Sequence, residues 1–334
     1  RFSLDREQDM ETVLRKVMEY DAAPLARWRD RILYMANSDI FSTGPSDSLA
    51  RNFTEPFGLE TFKVYNKDET PEPNDDTRRV IEQINEGRLV VNFVGHGSFA
   101  IMAFFFRGSF QQGNYSYMVQ IPNEERLPLV VAMSCLNGLF ANPRRVSLSE
   151  EMVNKADGGA IAYVSASTLA FLFTNRFINQ AMYRHIFQEG ISRFGQSLAL
   201  AKIDMLTAFP GLVSSAQGMQ LLGDPAQSLA LLSKADYTFP DLAVNVERKE
   251  DLIDGDSTRV TLRIENWGIP SEEGLDLLIL DRHLERGELD TLFAATLAPF
   301  GQKDSVTTIW RLGGQAGAHR LEVQLDPGDR IEEL

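Results

Sequence analysis

The chain has 334 residues, 43% hydrophobic and 24% charged, which suits about two globular domains with full cores. Its formal net charge of −14 repels phosphate backbones and anionic lipid, so nucleic acid and membrane surfaces are poor partners, while a cationic substrate or protein segment is drawn in. The single cysteine rules out an internal disulfide but leaves the compartment open. The opening RFSLDREQ has neither a starting Met nor a basic-then-apolar leader, and the chain stops at DRIEEL, so a fragment of a longer protein lacking its signal peptide is expected. No run is long and apolar enough for a membrane span, since residues 158–175 are rich in Gly, Ser and Thr and read as strand plus loop.

Residues 4–20 predict a helix with Met10, Val13, Leu14, Val17 and Met18 on one face. A buried strand follows at 31–36. A helix at 46–58 opens on an N-cap signal, and a strand follows at 61–66. Asn and Asp caps start a helix at 74 that stops at Gly87. RLVVNFVG and LPLVVAMSC are nearly continuous apolar strands, as in a sheet covered on both faces. Ser147 and Glu150 form a capping box, GAIAYVSAS is another buried strand, and helices are expected at 174–189 and 195–209. This alternation predicts a doubly wound α/β sandwich with a mostly parallel sheet over residues 1–236. After Asp236 the helical pattern ends. Short alternating strands between DGD, NWG, GG and DPG turns predict a β-sandwich over 237–334.

In doubly wound sheets, functional groups collect beyond the carboxyl ends of the strands. His96, in VGHGS, follows one predicted strand, and Cys135, in MSCLNG, follows the next. If those strands are neighbours, a thiol and an imidazole face each other. A thiolate can then attack a carbonyl while the His handles the proton. The amides of Gly97 and Cys135 are candidate oxyanion donors. A lone Cys is more often a small core residue, and a His between glycines often just occupies a turn. Their joint placement at strand ends favours catalysis. GHGSFA also fits a dinucleotide fingerprint, but no acidic residue follows about twenty positions on. No P-loop, G-x-S-x-G or H-E-x-x-H is present. His185, His283 and His319 are too scattered for a metal cluster.

LVVNFVGHGS, followed by LPLVVAMSCLNGLFANPRRVSLSEEMV, resembles the gingipain-type cysteine peptidases, whose fold is caspase-like. The resemblance runs from RFSLDREQDMETVLRKVMEYD through GGAIAYVSAST to QLLGDPAQSLAL, about residues 1–232. It implies a cysteine endopeptidase with Cys135 as nucleophile, His96 as partner, Gly97 in the oxyanion hole and a peptide or protein substrate. It also implies an acidic group that orients the His after an early strand. The matching residue is Asn37, with Asp39 two positions later; either could serve, Asn37 as a hydrogen-bond acceptor or Asp39 as a charge. An aspartate that selects Arg or Lys would match Asp47, which also reads as an N-cap. Phe173 matches a pocket wall and equally suits a core. No cofactor is indicated. Calcium binding is implied by the resemblance alone, and no D-x-D-x-D loop carries it.

The run FAIMAFFF after Ser98 departs from that pattern, as cleft wall or interface. The last hundred residues resemble adhesion-related Ig-like modules of bacterial surface proteins. The expected setting is therefore secreted or cell-surface. Two alternatives remain open: a non-catalytic surface or adhesion module of caspase-like shape, and a sortase-like transpeptidase.

Overall fold

Apolar runs become central strands because both of their faces are covered. The structure is a computed structural model that describes the chain except for residues 1, 5–6, 24–25, 39, 67–70, 109–116, 143, 233, 249–252, 254, 301–302, 313–316 and 334. It divides into two compact units, Arg1–Leu231 and Leu232–Leu334.

The first unit contains α1 (Glu7–Ala22), β1 (Arg31–Asn37), α2 (Ile40–Leu49), β2 (Glu60–Asn66), α3 (Asp75–Asn85) and β3 (Val90–Val94). A small meander follows, of β4 (Gly97–Ser98), β5 (Ile101–Met102) and β6 (Phe106–Arg107). Then come β7 (Leu129–Met133), α4 (Leu148–Asn154), β8 (Ala162–Ala166), α5 (Leu172–Phe187), α6 (Phe194–Ala208), α7 (Val213–Gly218) and β9 (Met219–Leu222). The main sheet has the order β2-β1-β3-β7-β8-β9, parallel except for β9. The chain winds outward from β1 to β2, then returns to the other side of β1 with β3. The switch point thus lies between β1 and β3.

Every residue of β3, β7 and β8 is buried. Alternate side chains feed two cores. On one face Ile32, Val90, Val131 and Val164 meet Ile178, Met182, Phe194 and Leu198 of α5 and α6. On the other, Leu33, Val91, Val130 and Tyr163 meet Val80 and Ile84 of α3 and Met152 of α4. This is the α/β sandwich expected from the strand and helix alternation. The two capping boxes, Asn74 with Thr77 and Ser147 with Glu150, start α3 and α4.

Three local expectations are corrected. In α1, Met10, Leu14 and Met18 are exposed, and the buried face carries Asp9, Thr12, Val13, Lys16 and Tyr20. Lys16 chose that face: its ammonium donates to the carbonyls of Val153 (2.8 Å), in the last turn of α4, and Gly158 (2.9 Å), just past it. The helix expected at 46–58 starts instead at Ile40 and runs through Pro45, so neither Ser46 nor Asp47 caps it. Gly44 and Pro45 do not break it, and the Ser46 hydroxyl donates back to the Ser42 carbonyl at 3.1 Å. The apolar run after Ser98 is not one exposed wall: Phe99, Ile101 and Phe104 are half-buried. Ala100, Met102 and Phe105 are buried, and Phe105 packs edge-on to Phe93 with centroids 5.9 Å apart.

Asp30, just before β1, is a buried carboxyl whose Oδ1 lacks a hydrogen bond and lies 3.6 Å from Arg31. Burial pushes it up to about 6, against the pull of Arg31. A raised carboxyl favours the folded state most below the ordinary aspartate value, and that contribution is lost as pH rises through about 6. Asp30→Asn is therefore expected to raise stability above that pH by about 2 kcal/mol. Urea midpoints measured across this range test it; an unchanged slope would count against it.

The second unit contains β10 (Tyr237–Thr238), β11 (Val244–Val246), β12 (Ser257–Asn266), β13 (Leu275–His283), β14 (Leu289–Leu297), β15 (Lys303–Arg311) and β16 (His319–Leu325). One antiparallel sheet joins β10, β11 and β15 to β12, and the other has the order β14-β13-β16. Leu262, Ile264, Leu275, Leu277 and Ile279 form its core. Among the described residues this unit has no helix.

Candidate active site

The parallel register of β3 and β7 pairs Val94 with Met133. His96 and Cys135 each lie two residues beyond that pair, past the carboxyl ends of the two strands. Adjacent strands are about 4.8 Å apart, so the two loops leave the sheet from neighbouring strands. His96 is exposed and Cys135 is half-buried.

The loop bearing His96 is held from β1. Asn37, the last residue of β1, is fully buried; its Oδ1 accepts the His96 N–H at 2.7 Å, and its Nδ2 donates to the Ala103 carbonyl at 3.0 Å. The Asn37 amide thus grips the backbone of the His96 loop, not the imidazole, which corrects the ring contact expected of it. Gly95 sits against this amide, where a Cβ would collide with Asn37 Oδ1. Asp39, the other candidate for orienting the ring, lies outside the described residues. Among the described residues the His96 ring has no hydrogen-bond partner.

Asn37→Asp tests this assignment. An aspartate would face the Ala103 carbonyl with an oxygen in place of an N–H. A loss of about 2 kcal/mol at neutral pH is expected, recovering as acid protonates the new carboxyl. Urea unfolding at neutral and acidic pH measures it. A variant at least as stable at neutral pH would show that the amide orientation is otherwise.

Gly97 lies in the meander opposite Met102. The Ala103 N–H donates to the His96 carbonyl at 2.9 Å, so His96 and Ala103 form a hydrogen-bonded pair. By the alternation of antiparallel ladders, the Gly97 N–H then points out of the ladder. A Cβ on Gly97 would stand 2.7 Å from Ser134 Oγ, so this position allows the backbone within contact of the residue before Cys135.

The turn after β7 is tied at both sides. Leu136 has φ of +62°, a left-handed conformation that costs a branched residue about 1–2 kcal/mol. Its N–H donates to the Thr168 carbonyl at 3.1 Å, and that of Gly138 to the Ala166 carbonyl at 3.0 Å, stitching the turn to the end of β8. Asn137, fully buried, reaches the other way: its Nδ2 donates to the carbonyls of Ser98 and of Ile101 (2.9 Å) in the His96 loop. Its Oδ1 meets the Ser134 hydroxyl. Asn137 therefore locks the two loops together, a role the sequence reading missed. A polar residue two positions past the cysteine was the available signal.

The Cys135 thiol lies against Ala170, beyond β8. Its sulfur accepts the Ala170 N–H at 3.4 Å and faces the Ala170 carbonyl at 3.5 Å. Among the described residues no hydrogen bond joins Cys135 to His96, and the Cys135 N–H donates to no backbone carbonyl.

The substrate-binding candidates fall in two places. Asp47 sits late in α2 and is already engaged: Lys63 Nζ is 3.0 Å from its carboxylate, and the Tyr65 hydroxyl donates to it at 2.8 Å. Burial raises this carboxyl, but the Lys63 and Tyr65 contacts outweigh it and hold it below the usual range. Phe173, in the first turn of α5, is exposed on one side and packs edge-on to Phe209 at 5.0 Å. The other histidines are structural: His185 lies between Glu189 (2.8 Å) and Asp204 (2.7 Å), while His283 and His319 belong to the second unit, where His319 meets Asp281 at 2.9 Å. No group of three or more His, Cys, Asp or Glu suited to a metal ion occurs among the described residues.

Comparison with known proteins gives the family. Gingipain R2 of Porphyromonas gingivalis is 25% identical over 155 residues, which is 43% of this chain and 19% of that protein. Gingipain R1 of the same organism shows the same identity over 14% of its length. The chain thus spans only a small part of these curated relatives. The crystal structure of the Arg-specific cysteine proteinase gingipain R superposes with a TM-score of 0.59 at 15% identity, covering 96% of this chain and 73% of that one. A complex of pro- and mature gingipain domains from Porphyromonas gingivalis gives the same score. At that identity the likeness is one of fold. The model of peptidase family C25 matches residues 1–230, and the chain belongs to that family.

Proposed function

We propose that the chain is a cysteine endopeptidase working through Cys135 and His96. One observation carries the reading: both residues stand two positions past a paired register point on neighbouring parallel strands. On binding, substrate draws the thiol away from Ala170 by rotation about its Cα–Cβ bond. His96 takes the thiol proton, and the thiolate attacks the scissile carbonyl. The N–H groups of Gly97 and Cys135 stabilise the oxyanion. His96 then protonates the leaving amine, the C–N bond breaks, and water hydrolyses the thioester. The Arg or Lys preference implied by the gingipain resemblance rests on Asp47, whose charge is paired with Lys63. A protein substrate and a secreted or cell-surface setting go with this reading. Among the described residues no helix is long and apolar enough to cross a membrane.

The resting place of the Cys135 sulfur against Ala170, 3.4 Å from its N–H, favours a second reading, a non-catalytic surface module of the same shape. One experiment separates the two. Stoichiometric labelling of Cys135 by a peptidyl acyloxymethyl ketone, abolished in His96→Ala, supports the peptidase. A native thiol inert to the reagent supports the module.

A further inference from the structure

We propose that Asn137 and Gly138 form a deamidation site that the fold holds closed, and that its conversion irreversibly unlocks the His96 loop from the Cys135 turn. Asn137–Gly138 is the only Asn-Gly step in the chain. Glycine has no Cβ, so nothing on the following residue shields its backbone nitrogen in such a step. Once deprotonated by hydroxide, that nitrogen attacks the side-chain carbonyl carbon of the asparagine. A new C–N bond closes a five-membered imide, and Nδ2 leaves as ammonia. Water then adds to either imide carbonyl and breaks its bond to nitrogen. The product is an aspartate, or an isoaspartate whose backbone runs through the former side chain. Water is the only co-reactant.

Packing requires both residues of the step. Asn137 Nδ2 donates to the carbonyls of Ser98 and Ile101, and a carboxylate in its place has no N–H for either. A Cβ on Gly138 would stand 2.6 Å from Ser165 Oγ and 3.2 Å from the Ser165 carbonyl oxygen, so the approach of the turn to β8 excludes a side chain. The lock and the close approach together therefore create the labile pair. The same contacts hold the reaction off. Both residues are buried, the Gly138 N–H is engaged by the Ala166 carbonyl at 3.0 Å, and Nδ2 is bonded to two carbonyls. Attack needs a local opening of the turn, which breaks these bonds and relieves the left-handed Leu136. Opening is reversible while the amide is intact. After conversion, an aspartate turns oxygen towards two carbonyl oxygens, and an isoaspartate lengthens the backbone by one carbon, so the turn no longer closes as before. The inference stands apart from the peptidase reading, because it needs only the turn.

The test holds the full chain at mildly alkaline pH in buffer, in urea below its unfolding transition, and in fully denaturing urea. Mass spectrometry of a digest follows the peptide containing Asn137. In the denatured chain, conversion of this amide to acid is expected, slowed at least about tenfold by Gly138→Ala, whose Cβ shields the nitrogen. In the native chain conversion should be at least about a hundredfold slower than in the denatured one, and urea below the transition should speed it. The converted fraction, separated by ion exchange on its added negative charge, should have a lower urea midpoint and an altered rate of Cys135 labelling by iodoacetamide. Asn137→Asp, one of the two products made directly, should share both changes. No conversion in the denatured chain, or equal rates in native and denatured chains, overturns the inference. So does a converted fraction with the parental midpoint and labelling rate. Conversion that speeds up only at global unfolding also overturns it, since the turn would then have no opening of its own.

Discussion

Cys135→Ala is expected to lower kcat/KM for peptide hydrolysis by at least about 10⁴-fold, with the fold unchanged. The side chain is half-buried and, among the described residues, its polar contacts are to Ala170, so truncation removes the proposed nucleophile and little packing. His96→Ala should cost nearly as much, because a neutral thiol attacks poorly and the leaving amine needs a proton. The double variant should lose scarcely more than either single one, since the two groups act as one unit. Additive losses would mean that they act separately. A His96→Ala chain that keeps most of its activity would remove the imidazole from the chemistry altogether. Circular dichroism and urea midpoints confirm that the comparison is between folded proteins.

Asn137→Ala is expected to destabilise the chain by about 3 kcal/mol and to reduce kcat/KM by about 10²-fold. The side chain is fully buried, and its removal leaves the Ser98 and Ile101 carbonyls and the Ser134 hydroxyl without their partner. Buried polar groups stripped of partners carry their full desolvation cost. The kinetic loss follows from geometry, because these bonds fix the His96 loop against the Cys135 turn. The two effects can be told apart: urea midpoints report the first, and the rate of iodoacetamide labelling of Cys135 in the folded protein reports the second. Full activity with lost stability would make Asn137 a fold residue only.

How much of this was legible in the sequence depended on the range of the interactions. The strand runs before His96 and Cys135 were legible because burial on both faces leaves a continuous apolar signal. The capping boxes of α3 and α4 were legible because their partners are three residues apart. Asn137 was not, because its carbonyl partners lie 36 and 39 positions away. Asn37, at the end of β1, holds the backbone N–H of His96 where a ring contact was expected: nothing local distinguishes an amide that holds a ring from one that holds the N–H beside it. The inner face of α1 was misjudged because Lys16 caps α4 from more than 130 residues away, outweighing the exposed methionines. Asp47 reads as a cap or a pocket acid, and its actual partners, Lys63 and Tyr65, lie on β2, more than a dozen positions away.

The equal offset of His96 and Cys135 from the Val94 and Met133 pair has a consequence for tolerance to change. The two strands from which these residues emerge are held at the spacing of a hydrogen-bonded pair, the least adjustable length in the molecule. Loops around the cleft can be lengthened, made apolar or recharged without resetting that spacing. A one-residue deletion within β3 or β7, by contrast, would throw one member of the pair to the opposite face of the sheet. On the proposed peptidase function, choice of substrate and constancy of chemistry thereby fall to different parts of the chain.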